Sequence, residues 1–203
     1  MLSRPQAVTG LTAYRGPMGR LIYSMFSSLD GYAADATGSA EWGGALDPAL
    51  HDFVAEQTRS VGTYLYGRRM YETMTFWETA PAEPEFVRHY AEVWRAAQKV
   101  VYSRTLVETT TEHTRLERDF DPVAVRAWVD QLDHDVTIDG PTLAAQALRA
   151  GIVDEVQPYL APVAVGAGLR FWPDGLRLEL ELLDERAFTQ GTRWLRYRVV
   201  GAR

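Results

Sequence analysis

One segment restricts the fold more than any other: Val136-Thr-Ile-Asp-Gly-Pro-Thr-Leu-Ala-Ala-Gln-Ala-Leu-Arg-Ala-Gly-Ile-Val-Asp-Glu155. It reads as a short buried strand, a tight turn, a helix and a return into another strand. A crossover of that kind belongs to a parallel sheet. The turn also carries a chemical contradiction. A glycine-containing turn that opens a helix suits an anion, because free backbone N–H groups and the helix dipole both favour negative charge. Asp139 puts a negative charge of its own where a phosphate would sit.

The rest of the chain repeats the alternation. Arg20–Ser27 is apolar and aromatic, as a buried strand requires, and ends in the turn Ser28-Leu-Asp-Gly-Tyr32. A weakly patterned, glycine-rich loop leads to Asp47-Pro48, a helix start with Asp as cap and Pro in the first turn. Thr63–Gly67 reads as a strand, 68–77 and 86–98 as helices, and Lys99–Ser103 as a third strand. Asp121-Pro122 starts another helix. Beyond the opening segment, Val153–Val165 has strand character despite Pro158 and Pro162. Leu176–Leu183 and Thr192–Val200 alternate with period two, as an antiparallel pair with one wet face does. The expected fold is therefore α/β, a mostly parallel sheet closed by antiparallel C-terminal strands. It occupies residues 18–203 as one domain. The polar stretch 1–17 has no apolar core of a signal segment and reads as a loose extension.

Ligands of such sheets collect at the carboxyl ends of the strands. The turns Ser28–Gly31, Gly67–Arg69, Ser103–Arg104 and Asp139–Thr142 all follow strands and should share one rim. Arginines at a helix start oppose the dipole unless an anion lies between them. Arg68, Arg69 and Arg104 offer guanidinium forks that suit phosphates. Each turn also has a purely structural reading, and spacing does not choose between them.

Composition narrows the classes. A net charge of −6 and a pI near 5.3 argue against nucleic-acid binding. The absence of cysteine removes disulfides, thiol nucleophiles and thiolate metal sites, and suits a cytoplasmic protein. No apolar run approaches the roughly 20 residues of a membrane helix. The histidines His51, His89, His113 and His134 form no ligand pair, so no metal is expected. The single lysine, Lys99, reads as a compositional bias toward arginine.

Taken in order, Ser28-Leu-Asp-Gly-Tyr32, Tyr66-Gly-Arg-Arg-Met-Tyr-Glu72, Lys99-Val-Val-Tyr-Ser-Arg-Thr-Leu106, Gly140-Pro-Thr-Leu143, Gly151-Ile-Val-Asp-Glu155 and Pro162-Val-Ala-Val-Gly-Ala-Gly168 resemble a known family. The chain is similar to dihydrofolate reductase-like proteins, specifically to the C-terminal reductase domain of bacterial riboflavin-biosynthesis deaminase-reductases. The resemblance implies a three-layer sandwich, an NADPH-dependent reductase and a homodimer, the last suggested also by an exposed edge at Leu176–Leu182 and the apolar stretch Val153–Val165. It further implies hydride transfer to a pteridine- or pyrimidine-like small molecule. By that resemblance Gly67, Arg68 and Arg69 hold cofactor phosphates, and Ser103 and Arg104 meet the adenosine 2′-phosphate. The backbone of Gly140, Pro141, Thr142 and Leu143 cradles the pyrophosphate, and Met25, Phe26 and Ala33 lie near the nicotinamide.

Two positions depart from the pattern. The family carries Gly-Gly where this chain has Asp139-Gly140, and dihydrofolate reductases carry Thr where Met70 stands. A carboxylate about 4 Å from a phosphate oxygen costs several kcal/mol at intermediate dielectric unless it points away or is neutralised. These departures favour the alternative function, the same fold without a cofactor, acting as a binding or interaction protein; a flavin is a third reading. On the substrate side Asp30 is the first candidate for contact, with Asp47 and Trp42 as further ones. Asp47 has a competing role as helix cap.

Overall fold

The structure is a computed structural model that describes residues 19–42 and 47–202. The stretch 1–17, read above as an extension, lies outside the described residues. In chain order, β1 (Leu21–Ser28) and β2 (Tyr32–Asp35) precede α1 (Pro48–Thr58), β3 (Val61–Gly67), α2 (Arg68–Met74), a 3-10 turn (Thr75–Glu78), α3 (Glu85–Ala96) and β4 (Gln98–Tyr102). There follow β5 (Thr114–Glu117), α4 (Pro122–Val129), β6 (Asp135–Asp139), α5 (Pro141–Arg149), β7 (Glu155–Ala161), β8 (Gly168–Arg170), β9 (Leu178–Ala187) and β10 (Arg193–Ala202).

The central sheet has eight strands in the order β5-β4-β3-β6-β1-β7-β10-β9. Pairing is parallel from β5 to β7 and antiparallel for β7–β10 and β10–β9. This is the mostly parallel α/β sheet that the alternation predicts. The segments 114–117, 32–35 and 168–170 were not foreseen as strands. β5 is a short, half-exposed edge, and β2 pairs only with β8 in a separate small ladder.

Side-chain alternation along the strands divides the interior into layers. Leu21, Leu65, Val136 and Ile138 face α4 and α5 and pack with Val129, Ala144 and Leu148. Tyr64, Tyr66 and Val101 face the other way and pack with Tyr71 of α2 and with Tyr90 and Trp94 of α3. The repeated Asp-Pro starts work as read: Asp47 Oδ1 accepts from the N–H groups of Ala49 and Leu50 at 3.1 and 3.3 Å, and Asp121 Oδ1 from those of Val123 and Ala124 at 2.9 and 3.3 Å. Such caps contribute about 1 kcal/mol each.

Two sequence readings change. Lys99 is not a compositional accident. It is 1 % exposed, donates to the carbonyls of Trp94 and Arg95 at 3.2 and 3.3 Å, and lies over the Trp94 ring, closing the C-terminus of α3. Within the apolar stretch Val153–Val165, β7 is buried between β1 and β10 and offers no surface, whereas Pro162 and Ala164 beyond it are exposed. The outer strand β9 remains exposed, with Leu182 50 % accessible.

At the amino ends of the parallel strands, opposite the rim of turns, charges form a closed network. Arg20 bridges Asp135 and Glu155, and Arg196 binds Glu155 through Nε at 2.7 Å and Nη2 at 2.9 Å. Among the described residues, no helix is long and apolar enough to cross a membrane, and no group of three or more His, Cys, Asp and Glu could hold a metal ion.

Candidate functional site

The carboxyl ends of β1, β3 and β6 open onto one cavity of about 690 Å³. Its mouth is formed by two helix starts. Gly67 precedes α2 and Gly140 precedes α5, and neither helix has a side-chain cap. The first-turn N–H groups are therefore left to other acceptors. Gly140 has φ +95°, a conformation that a side chain disfavours, and a Cβ there would stand 3.2 Å from Met70 Cβ. The helix starts are thus in near contact, with Met70 wedged between them.

Arg68 and Arg69 are exposed at this mouth. Arg68 binds Glu72 through Nε at 2.7 Å and Thr105 Oγ1 through Nη1 at 3.1 Å. Farther in, Met25, Phe26 and Ala33 form one wall, joined by Leu169 of β8. The small β2–β8 ladder, which the sequence hid, is what holds that wall in place.

The floor is phenolic. Tyr64, Tyr90 and Tyr159 line it, together with Thr137 and Asp139. In the β3–β6 register Tyr64 stands beside Thr137 and Tyr66 beside Asp139. Asp139 accepts a hydrogen bond from Thr137 Oγ1 at 3.0 Å. Because Thr137 and Asp139 alternate with Val136 and Ile138, the carboxyl lies on the sheet face opposite the one that packs α5. Burial pushes its pKa up to about 8, with the Thr137 hydrogen bond acting weakly the other way. Burial thus favours the protonated, uncharged form of the acid, which lies across the sheet from the body of α5 while sharing the cavity with the α5 start.

The remaining expected site residues lie outside this lining. Ser103 Oγ accepts from the N–H groups of Thr105 and Leu106 at 3.3 and 2.9 Å, so it shapes its own turn. Arg104 pairs with Asp119 through Nε at 2.7 Å on the surface. Asp30 ties two loops together: its carboxylate accepts from Ser28 Oγ at 2.6 Å and from the N–H groups of Val165 and Gly166 at 3.1 and 2.7 Å. The Ser28 hydrogen bond, followed by that of Gly166, holds its pKa below the usual carboxylate value. Asp47 caps α1, and Trp42 is half-buried with no hydrogen-bond partner for Nε1. Sequence reasoning passed over Tyr64, Tyr90 and Tyr159. Their type and period mark them as core, and only the strand order brings them around one acid.

The family model described as the RibD C-terminal domain matches residues 20–195. The chain belongs to the RibD C-terminal domain family. Solved structures with this fold include a pyrimidine reductase-like protein from Corynebacterium diphtheriae, with TM-score 0.64 and 16 % identity over 90 % of this chain and 92 % of that one. A diaminohydroxyphosphoribosylaminopyrimidine deaminase/5-amino-6-(5-phosphoribosylamino)uracil reductase from Thermotoga maritima gives TM-score 0.61 and 16 % identity over 90 % of this chain and 57 % of that one. Dihydrofolate reductase from Enterococcus faecalis, complexed with NADP(H), gives TM-score 0.60 and 12 % identity over 91 % and 98 %. No curated protein matches the sequence. This member of the RibD C-terminal domain family thus has a reductase-type, dihydrofolate reductase-like fold.

Proposed function

We propose that the chain is an NADPH-dependent reductase acting on a small pyrimidine- or pteridine-like molecule. The observation that carries this reading is a single cavity that gathers both uncapped helix starts, Arg68, Arg69 and the Met25–Phe26–Ala33 wall. The donor set suits the phosphates of a dinucleotide: backbone N–H groups at Thr142 and Leu143, and guanidinium groups at the mouth. Bound there, NADPH would supply the hydride. The chain's own residues would hold its phosphates, exclude water at the Met25–Phe26 wall and orient the acceptor over the floor.

Arg104 would have to leave Asp119 to meet a 2′-phosphate. That exchange is cheap, because the side chains are 80 % and 66 % exposed and surface pairs of this kind contribute about 0–1 kcal/mol. Ser103 would serve by fixing the turn that presents Arg104.

NADPH is expected to raise the melting temperature, with stabilisation of about 2.7 kcal/mol at a hundredfold excess over Kd. Arg69→Ala should weaken NADPH binding roughly 10- to 100-fold, the loss of one charge-assisted contact of ~1.5–3 kcal/mol. A melting curve indifferent to millimolar NADPH would remove the proposal.

A further inference from the structure

The central strands are apolar on the face that packs α4 and α5 and polar on the other. Side chains alternate along each strand, so the second face presents Asp135, Thr137 and Asp139 of β6, Ser24 of β1, and Gln157 and Tyr159 of β7. All but Ser24 are buried. Buried polar groups cost free energy unless they find partners in the protein or in water. This polar strip has a cavity at each end. At the carboxyl ends of the strands is the ligand cavity. At the amino ends lies a second cavity of about 130 Å³, lined by Arg20, Gln57, Ser60, Asp135 and Arg196 among others. Four side chains line both cavities: Ser24, Thr58, Thr137 and Tyr159. Each ends in a hydroxyl, a group that donates and accepts at the same time.

One hydrogen bond leads out of this shared wall into the ligand cavity. Thr137 Oγ1 donates to Asp139 Oδ2 at 3.0 Å, and Asp139 lines the ligand cavity but not the rear one. Thr58 Oγ1 is engaged within its own helix, donating to the carbonyls of Val54 and Ala55 at 2.8 and 3.1 Å. Ser24 Oγ lies beside the Tyr159 hydroxyl. The rear cavity has the makings of a water site. Its rim is fixed by the ion pairs of Arg20 with Asp135 and Glu155 and of Arg196 with Glu155. Gln157 donates from Nε2 to Glu155 Oε2 at 3.2 Å. A cavity of this size and polarity holds several waters, where an apolar void would stay dry.

Hydride addition to a C=N or C=O bond breaks the π bond and leaves its electron pair on nitrogen or oxygen, which then takes a proton. With the mouth filled by a dinucleotide and the Met25–Phe26 wall excluding water, that proton needs another way in. We propose that the rear cavity is the proton inlet of the reductase site, passing solvent protons through Thr137 and Asp139 to the bound acceptor. Asp139 gives its proton to the acceptor heteroatom, Thr137 Oγ1 gives one to Asp139, and water in the rear cavity gives one to Thr137. For each hydride accepted, one proton enters from solvent, and hydroxyl and carboxyl return to their starting forms. This deepens the reductase reading and rests on it for the hydride, whereas the hydrated passage follows from the two cavities alone. Thr137 is a positioning residue here, acting through Asp139.

The test joins a structure to a pair of acceptors. A high-resolution crystal structure of the parent should show ordered water in the rear cavity, with one molecule hydrogen-bonded to Thr137 Oγ1. A dry rear cavity, or water that does not reach Thr137, overturns the proposal, and this measurement decides even if a variant fails to fold. NADPH-dependent turnover is then compared for 7,8-dihydropterin, whose C=N nitrogen needs a proton after hydride transfer, and for its N5-methylated cation, which needs none. Thr137→Val should slow dihydropterin reduction on the order of 100-fold, the low end of what general-acid catalysis contributes, and enlarge its solvent deuterium isotope effect. It should slow reduction of the cation far less. Thr137→Ser, which restores the hydroxyl, should bring dihydropterin reduction back close to the parent rate. Equal slowing of both acceptors in Thr137→Val assigns the effect to packing and overturns the proposal, as does dihydropterin reduction at the parent rate. These results leave the reductase reading intact. A parent that transfers hydride to neither acceptor nor to an aminopyrimidine, with water in place, defeats the reductase reading and the relay with it.

Discussion

Asp139→Asn is expected to melt well above the parent protein at pH 7–8 and close to it near pH 4. The sign follows from proton counting. The folded carboxyl titrates near 8 and an unfolded one near 3.8. Between those values the unfolded chain has released a proton that the folded chain keeps, so stability falls as pH rises. Below 3.8 both states are protonated and above 8 both are ionised, so the loss is complete above the folded value. At about 1.36 kcal/mol per pH unit, the parent gives up on the order of 4 kcal/mol by pH 7. An asparagine of the same shape carries no charge to suppress and is spared that loss. Chemical denaturation of both proteins across this range measures it. A variant less stable than its parent at every pH would mean that the carboxylate is charged and stabilised in the fold. Retaining a destabilising acid in a cavity is the trade between stability and activity common at functional sites.

Glu155→Ala should produce the opposite behaviour. Glu155 is 5 % exposed and is held by Arg20 and Arg196 at the far end of the sheet. Burial works against its charge, but the Arg196 hydrogen bond and the fields of both arginines outweigh it and lower its pKa. Its contribution is therefore complete above the unfolded value of about 4.5 and is lost as pH falls through the lower folded value. Removing it leaves partly buried guanidinium groups facing one another. The expected loss is about 3 kcal/mol at pH 7, the low end for breaking a buried pair, because Arg20 is partly screened by water. Urea melts at pH 7 should show a lower midpoint with the same slope, and the difference should shrink under acid. A midpoint shift that persists unchanged to pH 3 would assign the effect to packing.

Most elements were legible because each has a local cause. The Asp-Pro starts at 47–48 and 121–122 cap their helices, and the apolar strands β1, β3, β4, β6 and β7 occupy the buried interior of the sheet. β2, β5 and β8 were not, since three- or four-residue strands are defined by their partners and carry too short a period to read. The cavity mouth was legible from glycines and arginines after strands. Its floor was not. Asp139 displays a charge in the sequence, but its protonation depends on burial by residues from β3, β7 and α3. Asp30 shows the reverse: a conspicuous acid whose oxygens are taken by N–H groups of Val165 and Gly166, more than a hundred residues away in the chain.

The most direct measurement is deuteride transfer from 4,4-dideuterated NADPH to aminopyrimidine and pterin acceptors, followed by mass spectrometry of the product. One deuterium on product carbon is expected, with turnover reduced in Arg69→Ala. Tight NADPH binding with no deuterium transferred to any acceptor of this class would contradict it.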